Sequence, residues 1–204
     1  MKHSSDMKAM LKEAGILFAI TLISGLLLGF VYELTKEPIQ LQQEKAVTKA
    51  CQTVFAEAAS FQEISYTASS ELIEKENENG VKLGVVFEAK DGSGETIGYV
   101  ISTTSTRGYG GNIVLFTGVS KEGTVKGVSI LEISETAGLG MQASQVLVPQ
   151  VKDKTVDAFT YTKNGSRADS EIDAISGATI TTKAFVNAVN AAIDVSKELL
   201  GGAN

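Results

Sequence analysis

Asp173-Ala174-Ile175-Ser176-Gly177-Ala178-Thr179 runs directly into Ile180-Thr181-Thr182 and then into an apolar-periodic stretch, so it reads as the start of a helix. Two tiny residues, Gly177 and Ala178, let a bulky group approach the backbone, and three hydroxyls, on Thr179, Thr181 and Thr182, cluster where the helix begins. Helix N-termini favour phosphate because their free N–H groups and the helix dipole both point at the anion. Ser and Thr ahead of an apolar-periodic run also occur as ordinary N-caps. On these residues alone both readings stand.

Downstream, Phe185, Val186, Val189, Ala192, Ile193 and Leu200 recur at near-helical spacing, which predicts a helix from about Thr182 to Leu200 closed by Gly201-Gly202. Upstream, residues 81–89 and 96–104 are strand-like and flank the turn signal Asp91-Gly92-Ser93-Gly94. A second pair, 112–120 and 124–133, closes around Lys121-Glu122-Gly123. Four such runs joined by short turns predict an antiparallel sheet. Residues 60–80 are polar and predict no element, while 39–59, after Pro38, read as an amphipathic helix.

Residues 15–32 carry no charge, and at about 1.5 Å per residue they approach the roughly 30 Å hydrocarbon thickness of a bilayer. The run is longer than the apolar region of a cleaved signal peptide and exits into Glu33-Leu34-Thr35-Lys36 without a small-residue cleavage site. It is apolar all round, unlike an amphipathic core helix. An uncleaved anchor is the expectation. Lys2, Lys8 and Lys12 precede it and Lys36 follows, which predicts a cytoplasmic N-terminus and an extracytoplasmic bulk. The fold class expected is α+β, a single N-terminal transmembrane helix followed by one domain with a mainly antiparallel sheet and flanking helices.

The net charge of −6 argues against nucleic acid, whose affinity comes largely from Lys and Arg neutralising phosphates. One Cys, Cys51, and one His, His3, exclude a disulfide framework, an iron–sulfur cluster and the usual zinc sites. Redox chemistry here would need a bound organic cofactor. Cys51 falls on an apolar helical face with Val47, Ala50, Val54 and Phe55, where a thiol is a small buried hydrophobe.

Two further glycine-rich stretches are Gly108-Tyr109-Gly110-Gly111 and Glu135-Thr136-Ala137-Gly138-Leu139-Gly140. The first lies between two strand runs and reads as a turn, or as bare backbone approaching a flat ring. The second, with Met141, Gln142 and Ala143, fits the loose G-x-G-x-x-A dinucleotide pattern, and Asp157 follows. That reading fails because no strand feeds directly into the loop within a βαβ unit. NAD is therefore not expected on this chain.

Position by position, Asp-x-x-Ser-Gly-Ala-Thr matches the flavinylation motif of the FMN-binding domain family, and the two glycine-rich stretches also resemble that family. With the anchor, the whole chain resembles the G subunits of Rnf complexes, membrane ferredoxin:NAD oxidoreductases, and is similar to the C subunits of Na+-translocating NADH:quinone reductases. Ala137 departs from the pattern, since relatives often carry Pro there.

The resemblance implies FMN held by a phosphoester to Thr179, with Ser176, Gly177, Ala178 and Thr182 beside it. It assigns Gly108, Tyr109, Gly110, Glu135, Thr136, Gly138 and Leu139 to the flavin pocket, and makes Asp173 part of the segment that a flavin transferase recognises. Residues 1–14 would be a cytoplasmic tail, 15–34 the anchor, 35–60 an amphipathic helix or linker, and 61–204 the FMN-binding domain. Its partners would be the membrane, the other membrane and peripheral subunits of the complex, and the transferase. The function implied is electron transfer within a redox-driven ion translocase, with no turnover by the chain alone. A second reading, of another class, is an anchored binding module whose glycines and threonines only build turns and caps.

Overall fold

The computed structural model describes residues 2–201. The side chains of Lys2, His3 and Lys8, and the expected cap residue Gly202, lie outside the described residues. The described residues form two compact units, divided between Lys45 and Ala46.

Helix α1, Lys2–Val54, runs through Pro38. Its apolar stretch is long enough to cross a membrane, and Leu26, Leu27, Leu28 and Phe30 in it are exposed. A helix apolar on every side, with none of that apolar stretch buried in protein, needs an apolar solvent.

The second unit contains the last turns of α1. Strand β1 (Ser60–Ile64) and helix α2 (Ser70–Asn79) follow, in the polar segment for which no element is expected. Next come β2 (Val81–Lys90), β3 (Thr96–Ser105), β4 (Ile113–Ser120) and β5 (Thr124–Ile133), the four strand runs of the sequence. A 3-10 turn, Gly140–Gln142, leads into the short helices α3 (Ala143–Val146) and α4 (Val148–Val151). Strand β6 (Lys154–Thr155) completes a six-stranded antiparallel sheet in the order β1-β2-β3-β4-β5-β6. Strands β7 (Thr160–Thr162) and β8 (Glu171–Asp173) form a small parallel pair, and α5 (Thr179–Gly201) closes the fold.

Side chains alternate between the faces of a strand, and here both faces are covered. Phe116 and Val100 pack with Ala50, Cys51, Val54 and Phe55 from the end of α1. Their chain neighbours Leu115 and Ile101 face the other way, into the layer built by α5, where Phe185, Val189 and Ile193 are buried with Phe159 and Ile172. Three glycines on adjacent strands make the first contact possible. A Cβ on Gly118 would stand 3.2 Å from the Phe55 ring, one on Gly98 2.7 Å from it, and one on Gly127 3.3 Å from the Val54 backbone. Cys51 is buried within this layer.

Candidate functional site

Register carries the two glycine-rich stretches to one end of the sheet. Ser105 pairs with Ile113, and Ile113 pairs with Ile133, so the β3–β4 loop and the segment leaving β5 depart side by side. The third stretch, between β8 and α5, joins them there. Together they line a cleft of about 460 Å³ walled by Tyr109, Glu135, Thr136, Leu139, Gly140 and residues 177–181.

The chain enters α5 through a tight turn. The Ala178 N–H donates to the Ile175 carbonyl at 3.0 Å, and Gly177 has φ +76°, a left-handed conformation that a side chain would strain. A Cβ there would also lie 3.3 Å from Leu139 Cδ2 across the cleft. Thr182 secures the turn. Its Oγ1 accepts from the Ile175 N–H at 3.2 Å and donates to the Ala178 carbonyl at 3.0 Å, and its side chain is fully buried.

Glu135 joins all three stretches. Its Oε2 accepts from the Thr181 hydroxyl at 3.0 Å, and its Oε1 accepts from the Gly110 N–H at 3.3 Å. Gly140 permits this approach, because a Cβ on it would sit 2.6 Å from Thr181 Oγ1 and 2.7 Å from Glu135 Cβ. The loop after Glu135 curls around the Thr136 carbonyl, which accepts from the N–H groups of Leu139 at 3.1 Å and Met141 at 3.3 Å. This leaves Leu139 and Tyr109 on the cleft wall, 40% and 72% exposed.

Of the residues singled out in the sequence, Tyr109, Glu135, Thr136, Leu139, Gly177, Ala178 and Thr179 line the cleft. Gly108 and Gly110 support it from behind Glu135, whereas Ser176 and Gly138 are exposed beside it. Thr182 faces the protein interior and is bonded to backbone. Asp173 sits on β8, its backbone N–H and carbonyl both held by the Gln150 side chain, at 2.7 and 3.1 Å. Its carboxylate accepts only a 3.4 Å contact from Ser166 among the described bonds. Gly140, Ile180 and Thr181 also line the cleft, and the motifs do not mark them as pocket residues.

The lining suits FMN. The cleft volume is that of a small-molecule pocket, commonly about 300 to 1,000 Å³. Tyr109, Leu139 and Ile180 offer apolar surface for a ring system. Thr136 and Thr179 add hydroxyl-bearing side chains to the lining, and the first turn of α5 presents backbone N–H groups to an anion. Among the described residues no group of acids, His and Cys could hold a metal ion.

Residues 108–194 match the FMN-binding domain family, and residues 1–54 match the RnfG N-terminal region family. The chain is 34% identical over 208 residues to the G subunit of the Na+-translocating ferredoxin:NAD+ oxidoreductase complex of Acetobacterium woodii, with 97% of each chain covered. It is 32% identical to the G subunit of the proton-translocating ferredoxin:NAD+ oxidoreductase complex of Clostridium ljungdahlii, over 94% of this chain and 97% of that one. It is 30% identical to the G subunit of the ion-translocating oxidoreductase complex of Methanosarcina acetivorans, over 93% and 96%. The crystal structure of Shewanella oneidensis NqrC shares the fold, with a TM-score of 0.51 and 18% identity over 74% of this chain and 86% of that one.

Fold, cleft and family match together define an FMN-binding domain behind an N-terminal apolar helix. The chain belongs to the family of G subunits of the Rnf ion-translocating oxidoreductase complexes.

Proposed function

We propose that this chain carries FMN as a phosphoester on Thr179 and passes electrons within an ion-translocating ferredoxin:NAD+ oxidoreductase complex. One observation carries the choice of residue. Of the three hydroxyls in the first turn of α5, Thr182 Oγ1 is committed to backbone and Thr181 Oγ1 to Glu135, so that of Thr179, on the cleft wall, is the one without a partner among the described bonds. Charge supports a covalent link, because none of the described lining residues is Lys or Arg to hold a phosphate by ion pairing.

Attachment is the work of a flavin transferase acting on FAD. Thr179 Oγ1 forms a bond to the phosphorus of the FMN half, the P–O–P bond breaks, AMP leaves, and the hydroxyl proton passes to a base. Hydroxyls are weak nucleophiles without such help. Asp173 lies on the segment leading to Thr179, with its backbone held by Gln150 and its carboxylate nearly uncommitted, as recognition by the transferase requires. Bound FMN supplies the redox chemistry, and the protein supplies position and electrostatics. Thr136 and Leu139 contact the flavin without bonding to it, and Ser176, Gly177 and Ala178 leave room beside the phosphate.

The chain works as one subunit among the membrane and peripheral subunits of the complex and turns over no substrate alone. Its 15–34 segment spans the membrane, with residues 1–14 cytoplasmic and the 61–204 domain extracytoplasmic. A reporter fused after Asn204 should be active outside the cytoplasm, and cytoplasmic activity would refute that orientation. The relatives from A. woodii and C. ljungdahlii are named for different ions yet match this chain at 34% and 32%. Likeness in this subunit therefore does not track the coupling ion.

The attachment test compares the parent protein with Thr179→Ala, both made with the transferase. The parent should give a fluorescent band after denaturing electrophoresis, and Thr179→Ala a folded protein with a dark one. A fluorescent Thr179→Ala band would move the bond to another residue.

A further inference from the structure

Glu135 is an odd residue to find in the wall of a cleft for FMN, because a carboxylate repels both the phosphate and the electrons that reduction brings. Its geometry gives it a different task from touching the cofactor. One oxygen holds the Thr181 hydroxyl in the first turn of α5, and the other holds the Gly110 N–H of the β3–β4 loop. No other described hydrogen bond from a side chain joins those two stretches through the β5 exit segment. The fit is close on two sides. Added Cβ atoms at Gly108 and Gly140 would come within 2.6 Å of Glu135 Oε1 and 2.7 Å of Glu135 Cβ. The position therefore accepts a side chain of this length only because its neighbours have none.

We infer that Glu135 is a positioning residue that clamps the three cleft-forming stretches together, and that its fixed charge lowers the reduction potential of the flavin beside it. The sign of the second effect follows from charge alone. Reduction adds negative charge to the flavin, and a carboxylate held in the same half-buried cleft disfavours that addition whichever edge of the ring it faces. The charge cannot swing away into solvent, since both oxygens are tied to the walls. This inference rests on FMN occupying the cleft and deepens that reading.

Glu135→Gln and Thr181→Val separate position from charge. Gln keeps the shape and both partners, its oxygen accepting from the Gly110 N–H and its NH2 donating to the Thr181 hydroxyl, so it removes the charge and leaves the clamp in place. Val at 181 is nearly isosteric, keeps the carboxylate and removes only the hydroxyl. Both variants are made with the transferase, and the intact mass first establishes that each carries covalent flavin. A parent protein without flavin would sink the underlying reading and with it the electrostatic half of this inference, whereas a flavin-loaded parent leaves both halves to the variants. In the flavin-loaded proteins, hydrogen exchange across residues 108–111 and the flavin midpoint potential are then measured.

Glu135→Gln should shift the potential to more positive values with loop exchange near the parent's, whereas Thr181→Val should speed exchange in the 108–111 loop about fivefold to tenfold, the scale of one lost hydrogen bond. Thr181→Val should leave the potential close to the parent's. A flavin-loaded Glu135→Gln protein with unchanged potential would overturn the electrostatic role. Unchanged loop exchange in Thr181→Val would overturn the clamp.

Discussion

At its N-terminal end α5 meets the surrounding loops with Gly177, Ala178 and Thr179, whereas nearer its C-terminal end it meets α2 and the segment before it with Asp194 and Glu198. The first end is open. Small residues there leave a cleft, and the polar groups around it come to a focus on one carboxylate, Glu135, both of whose oxygens are bonded. The second end is closed. Glu198 accepts from the Tyr66 hydroxyl at 2.6 Å, the Ser69 N–H at 3.2 Å and the Ser69 hydroxyl, while Asp194 pairs with Lys75 at 2.5 Å. On the proposed reading one helix separates cofactor binding from stability along its length, and changes at either end should have separable effects.

Asp173→Asn should have the largest effect at the open end. It keeps the backbone bonds to Gln150, so the melting temperature should stay near the parent's, while the initial rate of flavin attachment by the transferase falls about tenfold or more, the scale of one lost charged contact in recognition. Equal rates for the two proteins would remove Asp173 from the modification step.

Glu198→Ala probes the closed end with the opposite signature. It strips the acceptor from Tyr66 and Ser69 and should cost about 1 to 3 kcal/mol in denaturant unfolding, with flavin attachment unchanged. A loss of attachment in a protein that still folds would show that the two ends are coupled.

The smallest effect is one of sign. Glu76 on α2 is 2% exposed, and its Oε2 has no hydrogen-bond partner among the described residues. Burial raises the Glu76 pKa, a bond from Asn79 opposes the rise, the Asp194 charge adds to it, and Lys75 offsets part of it. A carboxyl whose folded pKa is raised stabilises fully below its unfolded pKa, and that stability is lost as pH rises through the folded value. Glu198 has the reverse sign: partial burial raises its pKa, but the bonds from Ser69 and Tyr66 prevail and hold it below the ordinary value, so its contribution is lost as pH falls. Glu76→Gln should therefore melt higher than the parent at about pH 8, with the advantage shrinking as pH falls through the raised folded value towards the ordinary carboxyl range and levelling off below it. An advantage that is constant with pH would show that the Glu76 carboxyl has the same pKa in the folded and unfolded protein.

The sheet was legible where alternation and turns coincide. Strands β2 to β5 lie within a residue or so of the runs read from sequence, because each is bounded by glycine-rich or charged turn residues. Strand β1 and helix α2 were not legible. Strand β1 is an edge strand with little burial, and α2 buries only Leu72 and Glu76, so a charged residue occupies one of its two core positions and erases the apolar period. Helix α5 starts at Thr179 and not near Thr182, since the hydroxyls expected ahead of the helix form its first turn.

At the cleft, the residue types were readable from motif and resemblance, but their roles depended on long-range register. Thr182 turned inward to staple the turn, and Glu135 proved to be bonded to residues 25 and 46 positions away. Local spacing carries no trace of such contacts.

Trypsin cleaves after Arg167 and Lys183, so residues 168–183 place Ser176, Thr179, Thr181 and Thr182 on one peptide. Mass mapping of that peptide, from protein made with the flavin transferase, tests the central claim most directly. It should gain the mass of FMN less one water, and fragmentation should put the addition on Thr179. An addition on another residue, or an unmodified peptide from a protein that nonetheless holds FMN, would contradict it.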